Sequence, residues 1–448
     1  MSRPTEQVPP RQARTAGRDG TAARPLSGRG TPSEASGSPE AGKRPPGDQP
    51  MRSAQPAGLR QQNLSAIMRA VMAHGPVARV DLAAITGMAT GTITKLTAEL
   101  AEAGLLREQD TVANTHPGRP RVPVTIDERT HRVVGIHIGL VRTNLGLVDL
   151  TGRLVAQLTL PHRRSGFDAV VGQAVDGVHQ LVEGHTESVI GVGASIGGWV
   201  DAQGRVREHP VLGWRDVPLR DALYDALSLP TSVDSSFRAL VLAERWLGVA
   251  SGLRHLVHLF VGNVVGAGLL LDGNVYRGAA SAAGALDHLP VDGRAEQPCQ
   301  CGRYDCLHVV AGDLAVLSVA RAEGLVPARG TVDHLIAAAR GGNKRAHQLL
   351  VRRARQVGTA AGTLIEVLDP QMIVIGGGVV DAPEYLEFVR EGCRTYLADK
   401  RPVDVDSLVR ASSFGTHDIS VSSAAVLLDE VYRDPAGYVP ALRGLRYG

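Results

Sequence analysis

Only four cysteines and three tryptophans occur in 448 residues, and aromatic residues make up 4%. So few cysteines in so long a chain suit a reducing compartment better than a disulfide-held scaffold. No apolar run is long enough to cross a bilayer, and the N-terminus lacks the apolar core of a secretory signal. A soluble protein with a cytoplasmic location is therefore expected, with no membrane partner. Neither sign of charge dominates. The chain has 48 Lys+Arg against 45 Asp+Glu, a formal net charge of +3, which by itself does not argue for a nucleic-acid partner. Apolar residues reach 43%, enough for a sizeable core, and the length suits two or three domains.

The scarce cysteines are not scattered. Cys299, Cys301 and Cys306 fall within eight residues, and His288 lies eleven residues before the first of them. One histidine and three thiolates make a closed tetrahedral set of the kind that holds a structural zinc. The plainer alternative is three buried cysteines that happen to be neighbours. Cys393 stands alone.

Residues 1–57 are rich in Pro, Gly, Ser, Arg and Ala and poor in large apolar side chains. Met1 to Gly58 carries nine Lys/Arg and five Asp/Glu. Such a segment cannot bury enough surface to offset its ordering entropy, so a disordered basic tail is expected.

From Leu64 the pattern changes. Leu64, Ile67, Met68, Val71 and Met72 recur at helical spacing, and Gly75-Pro76 ends that helix. A second helix is expected from Val80 to Thr86, with Leu82 and Ile85 facing inward. Gly87 turns the chain into a third helix, Thr90 to Ala103, and Gly104 stops it. Two strands follow, Leu105–Glu108 and Val122–Ile126, around a loop that contains Arg119 and Arg121. This order is that of a winged helix-turn-helix over residues 58–128. The third helix would enter the major groove of double-stranded DNA with Thr90, Gly91, Thr92, Thr94 and Lys95 leading. Arg119 and Arg121 on the wing would reach phosphate or the minor groove. A helical unit that contacts only protein is the other reading.

A second architecture begins after Asp127. A strand, a glycine turn and another strand occupy 133–149, and a similar unit recurs at 255–276. The repeat, about 120 residues apart, predicts an α/β domain of two duplicated lobes. Its glycine turns would face each other across a cleft and offer backbone N–H groups to phosphates. They contain Gly139, Gly262, Gly266, Gly376 and Gly377. Singly, each is more often a tight turn.

From about residue 60 the chain resembles the ROK (repressor, open reading frame, kinase) family. The resemblance rests on the winged helix, the Gly139 loop, the runs Leu212–Leu219 and Ala243–Gly248, the Gly284–His288 segment with its cysteines, and Gly376-Gly377-Gly378. It implies a two-lobed actin-like, ribonuclease H-like ATPase fold over 131–435, followed by a C-terminal tail at 436–448. Members phosphorylate sugars with ATP, sense sugars as repressors, or do both. The fused DNA-binding module implies a transcriptional regulator, which should bind a palindromic operator as a homodimer or homotetramer. A sugar or sugar-derived effector is implied; an empty cleft that serves only dimerisation is the alternative.

Departures from the kinase pattern are as informative as the matches. Where family kinases begin their first phosphate loop Asp-Ile-Gly-Gly-Thr, this chain has His137-Ile138-Gly139-Leu140-Val141. Phosphoryl transfer depends on positioned metal and phosphate contacts, so the change should weaken it severely. The family's Asn-Asp pair, eight residues before the Glu of an Ala-Glu pair, falls on Ser235-Ser236. The general base is then Ser236, which cannot take a proton near neutral pH. Asp234 on the preceding strand would lie about 6–7 Å away, too far to substitute. The sugar-binding Glu-x-Gly-His is Ala285-Leu286-Asp287-His288, and His308 replaces a further glutamate. A remade pocket would be lined by Ser235, Ser236, Ala285, His288 and His308. Catalysis is not expected, whereas the four zinc ligands are intact.

Overall fold

The computed structural model describes residues 56–109, 122–398, 402–415 and 418–439. Of the tail expected over residues 1–57, residues 1–55 lie outside these, as do Arg119 and Arg121, while Pro56 and Ala57 begin a helix, which corrects the expected boundary. The first described elements are α1 (Pro56–His74), β1 (Val77–Ala78), α2 (Arg79–Thr86), α3 (Thr90–Glu102), β2 (Leu106–Glu108) and β3 (Pro123–Ile126). The strands form an antiparallel sheet in the order β1-β3-β2, so β1 adds a strand that periodicity did not reveal. Two residues are too few to show alternation. Leu64, Ile67, Met68, Leu82, Ile93 and Leu100 are fully buried. Ile85 is not, with 46% of its surface exposed, so the expectation that it faces inward is corrected. In an eight-residue helix one apolar stripe, centred on Leu82, meets the other helices, and Ile85 falls beside it.

The larger part of the chain is built around two five-stranded sheets of one design. The first contains β4 (Arg132–Ile138), β5 (Arg142–Asp149), β6 (Leu154–Pro161), β7 (Val189–Ile196) and β11 (Thr231–Ser235). Helix α4 (Phe167–Leu181) covers it, and the short strands β8 (Trp199–Val200), β9 (Val206–His209) and β10 (Trp214–Val217) form a separate sheet before α5 (Leu219–Leu227). Helix α6 (Ser236–Leu247) leads to the second sheet, made of β12 (Leu256–Val261), β13 (Val265–Leu271), β14 (Asn274–Val275), β15 (Met372–Gly376) and β16 (Val409–Ala411). Between β14 and β15 lie α7 (Leu307–Ala311), α8 (Asp313–Ala322), α9 (Val332–Arg340) and α10 (Lys344–Leu368). Helices α11 (Leu386–Leu397), α12 (Val405–Leu408), α13 (Ile419–Arg433) and α14 (Pro435–Tyr438) complete the order.

The strand orders are β6-β5-β4-β7-β11 and β14-β13-β12-β15-β16. In both, the first three strands are antiparallel and the last two join in parallel. This is the duplication that the repeated strand–turn–strand units predict. The late helix α13 packs on the early sheet because glycines make room. A Cβ on Gly135 of β4 would lie 1.9 Å from the Ser420 carbonyl oxygen, and one on Gly193 of β7 would lie 2.3 Å from that of Ser423. Buried residues of α13 share one core with α1, so the N-terminal helices and the first lobe are continuous. Ala436 and Val439 are buried in the same core, so the expected tail at 436–448 starts inside it.

Candidate functional site: a cysteine–histidine centre and an arginine-held cleft

Backbone pairing assembles the cysteine centre. The Val291 N–H donates to Asp305 O (2.9 Å) and the Leu307 N–H to Leu289 O (2.8 Å), which sets Cys306 beside Pro290. The Cys299 N–H donates to Arg303 O (2.7 Å) and closes a tight turn, where Gly302 has φ +84°, a conformation open chiefly to glycine. Cys306 immediately precedes α7. The ligand atoms of His288, Cys299, Cys301 and Cys306 all lie within 4.8 Å of one another. A tetrahedral zinc with bonds of about 2.0–2.3 Å needs its ligands roughly 3.5–4 Å apart, so the set fits. The Cys301 and Cys306 sulfurs are 3.4 Å apart, too far for a disulfide.

Histidine 288 is oriented for this role. Its Nδ1 lies 3.2 Å from Cys299 Sγ, and its Nε2 lies 3.2 Å from Asp287 Oδ2. A carboxylate behind a histidine that binds metal fixes the tautomer and orientation of its ring. The Asp287 carbonyl in turn meets His308 Nδ1 at 2.8 Å, and the rings of His288 and His308 pack edge to face. His308 thus supports the centre. A backbone N–H from Arg303 lowers the Cys301 thiol to about 7, while burial pushes Cys306 up to about 12. A thiol as buried as Cys306 ionises readily only beside a cation.

The expected phosphate turns divide into two groups. Gly139 and Gly262 occupy turns, and Gly377 follows β15 with φ +86°. Gly266 and Gly376 lie within strands, both facing Phe260 in register, so their expected loop positions are corrected. A Cβ on Gly266 would stand 2.3 Å from the Phe237 ring, so this glycine makes room for α6. The tip of the first turn is Leu140-Val141, with Val141 72% exposed, an apolar surface where a phosphate contact would be needed. His137 Nδ1 lies 3.0 Å from Ser195 Oγ, which lies 2.8 Å from Ser423 Oγ of α13. Burial, aided by Arg142, lowers His137 to about 4. Near pH 7 it is neutral and supplies no charge to hold a metal.

At the expected catalytic position the cleft is closed by arginine. Asp234 has no exposed surface, Arg238 is 3% exposed, and the two form an ion pair. Arg277, from the segment after β14, holds the other carboxylate oxygen at 2.6 Å. Arg238 also donates to Val200 O (2.6 Å) in the first lobe and Ser281 O (3.1 Å) in the second. A carboxylate so engaged is not available as a base. Ser235 caps α6, its Oγ accepting from the Arg238 N–H (3.4 Å), while Ser236 Oγ is buried with no hydrogen-bond partner among the described residues. Among the described residues no hydrogen bond joins Ser235 or Ser236 to Ala285, His288 or His308, so the structure does not tie the five expected pocket residues together.

Sequence reasoning missed the arginines. Arg238 follows Asp234 by four residues, but a strand–helix boundary falls between them and hides the pairing. Arg353, 1% exposed, interrupts the apolar face of α10. It binds Ala311 O (2.8 Å), Val261 O (3.2 Å) and Asp313, tying the α7–α8 corner to the end of β12. No local pattern announces it.

On α3, Ile93, Leu96, Thr97 and Leu100 face the core. Thr90, Gly91, Thr94 and Lys95 are exposed and Thr92 is half-buried. Ala89 at the helix start offers no side-chain cap, leaving the first N–H groups open.

Comparison with known proteins places these features in a family. Residues 133–430 match the ROK family. A Mycobacterium tuberculosis protein named transcriptional regulator Rv0485 is 32% identical over 389 residues, covering 83% of this chain and 86% of that one. The solved structure of a ROK family transcriptional regulator, a homologue of the Escherichia coli MLC protein, superposes with TM-score 0.70 at 24% identity, over 86% of this chain and 98% of that one. A ROK family glucokinase from Streptomyces griseus, solved with glucose and AMPPNP, gives TM-score 0.58 at 26% identity, over 67% of this chain and 99% of that one. The matched span, the duplicated sheets and the identity to Rv0485 together make this chain a member of the ROK family.

Proposed function

We propose that this protein is a transcriptional regulator, built from a winged helix-turn-helix fused to a kinase-like body that no longer transfers phosphate. The observation that carries the reading is the solvent-facing row Thr90, Gly91, Thr94 and Lys95 at the start of α3. Hydroxyl side chains there suit base edges or phosphates, and Lys95 suits a phosphate. The name of the Mycobacterium tuberculosis relative supports the same role. A repressor acting on a palindromic operator as a dimer or tetramer is the form this takes. Zinc, held by His288, Cys299, Cys301 and Cys306, is its structural ion. A sugar or sugar-derived effector would occupy the interlobe cleft, a suggestion supported by the glucose-bound glucokinase of like fold.

The test is selection of genomic fragments by the full-length, zinc-loaded protein at two salt concentrations. An inverted repeat that stays enriched at the higher salt is the expected result. Only sequence-blind, salt-sensitive binding overturns it. On the selected site, Lys95→Ala should weaken binding about three- to tenfold and reduce the salt slope by about 1. Unchanged affinity and slope would place α3 outside the groove.

Catalysis is a separate question. Incubation with ATP and hexoses should yield no sugar phosphate, because Ser236 cannot act as base and Asp234 is held by two arginines. A general base contributes about 10²–10⁴ in rate, and the altered His137 loop removes phosphate contacts besides. Turnover in the range of ordinary sugar kinases, about 1–100 s⁻¹, would establish the enzyme reading instead.

A further inference from the structure

Four arginines from four separate elements meet behind the cleft, where α1 rests on the kinase-like body. Arg245 lies in α6, Arg433 ends α13, Arg254 precedes β12, and Arg69 lies in α1. Arg245 and Arg433 both donate to the Gly273 carbonyl, the latter at 2.9 Å. Arg433 also donates to Asn274 Oδ1 (2.9 Å) and pairs with Asp429. Arg254 pairs with Asp272, and both are well exposed. Helix α1 reaches this place through Ala73, whose side chain is 3.8 Å from where a Cβ on Gly252 would stand, and Arg69 lies one turn earlier on that face. Arg69 is exposed and has no hydrogen bond or ion pair among the described residues.

The charges do not cancel. Among the described residues, the ion pairs of these four guanidinium groups reach two carboxylates, Asp272 and Asp429. The arginines lie near enough to act on one another. The neighbouring protein surface partly desolvates Arg69 and, with the charges of Arg433 and Arg254, lowers it, and burial brings Arg245 down to about 10, with Asp429 opposing and the other three arginines adding to the fall. Asp429 is already engaged twice, since it also accepts from Trp246 Nε1 at 2.8 Å. Unspent guanidinium donors beside an exposed turn are suited to a doubly charged oxyanion, which they can grip with paired hydrogen bonds.

We infer that Arg69, Arg254 and Arg433, backed by Arg245, form a binding site for a small phosphate-bearing anion at the seam between α1 and the two lobes. Such an anion would be held from α1, from α13 and from the edge of the second lobe together. Its binding would therefore stiffen the seat of the N-terminal helices. The seat's importance for DNA rests on the function proposed above; the anion site itself does not.

The experiment uses full-length, zinc-loaded protein and two probes, inorganic phosphate and pyrophosphate, titrated by calorimetry in chloride at fixed ionic strength. Saturable binding of one anion per chain is expected, tighter for pyrophosphate. The double variant Arg69→Gln/Arg254→Gln removes two exposed side chains, so it should fold normally, and it should bind about tenfold more weakly or worse. Arg352→Gln, on α10 and outside the cluster, should bind as the parent does. Absence of saturable binding overturns the site, and so does equal loss in Arg352→Gln. If the double variant binds pyrophosphate normally but loses operator affinity, the arginines serve DNA phosphates and the proposal falls. If the parent binds pyrophosphate but no operator, the site stands and the regulatory reading falls.

Discussion

Replacing Cys306 with serine is expected to empty the cysteine–histidine centre of zinc and to destabilise the second lobe more than any single surface change. Cys306 is completely buried and joins the Pro290 bridge to α7. Structural zinc binding is worth about 10–16 kcal/mol in small zinc domains, and all of it is coupled to folding. Because the second lobe also has a large apolar core of its own, only part of that coupling should be lost, about 4–6 kcal/mol, or some 10–20 °C in melting temperature. Metal content by mass spectrometry and thermal melting are the two readouts. A chelator should reproduce the effect in the parent and do nothing further to the variant. One bound zinc in the variant, or a parent that melts identically with chelator, would show that the four ligands hold no structural ion. Exposed His288 should matter less: His288→Ala leaves three thiolates and should weaken zinc without abolishing it.

The second large effect belongs to Asp234. Substituting alanine leaves Arg238, 3% exposed, without its carboxylate and releases Arg277 from the opposite lobe. Breaking one side of a buried ion pair costs about 3–5 kcal/mol, because the remaining charge has no partner. Asp234→Ala should therefore lower the urea midpoint sharply, whereas Arg277→Ala, half exposed and backed by Arg238, should lower it only slightly. The contrast separates a structural clamp from a catalytic carboxylate. If Asp234→Ala melted like the parent, the pair would be spending its attraction on its own desolvation. The same clamp bears on ligand response. With Arg238 bonded to Val200 and Ser281, and Trp199 Nε1 donating to Ala280 O at 2.7 Å, the two lobes are already joined at the catalytic edge. Any effector must work with that closure or break it.

Much of this was readable from local pattern. The stripe Leu64, Ile67, Met68 and Val71 marked α1 because one turn of a helix repeats on one face. The cysteine–histidine cluster stood out because cysteine is so scarce here that three in eight residues need a reason. The repeated strand–turn–strand units announced the duplicated sheets. What escaped was set by distant parts of the chain. Gly266 looked like a loop residue because glycine signals turns, but it was selected by the bulk of Phe237. Ile85 looked internal because it is apolar, yet α2 is too short to bury two faces. Arg353, Arg277 and Arg238 find their partners across loops and lobes, and charge alone carries no address.

The placement of α13 has a consequence for synthesis. It follows α1 by roughly 340 residues, yet its core is the surface on which α1 rests, and Gly135 and Gly193 keep the first sheet open for it. At about 5–20 residues per second a ribosome needs roughly 17–70 s to travel that distance. During this interval the first sheet presents an uncovered apolar face, and the N-terminal helices have emerged without their seat. The nascent chain should accordingly be a strong client for holding chaperones until α13 appears. A stop codon before Ile419 should leave an aggregating polypeptide rather than a smaller regulator.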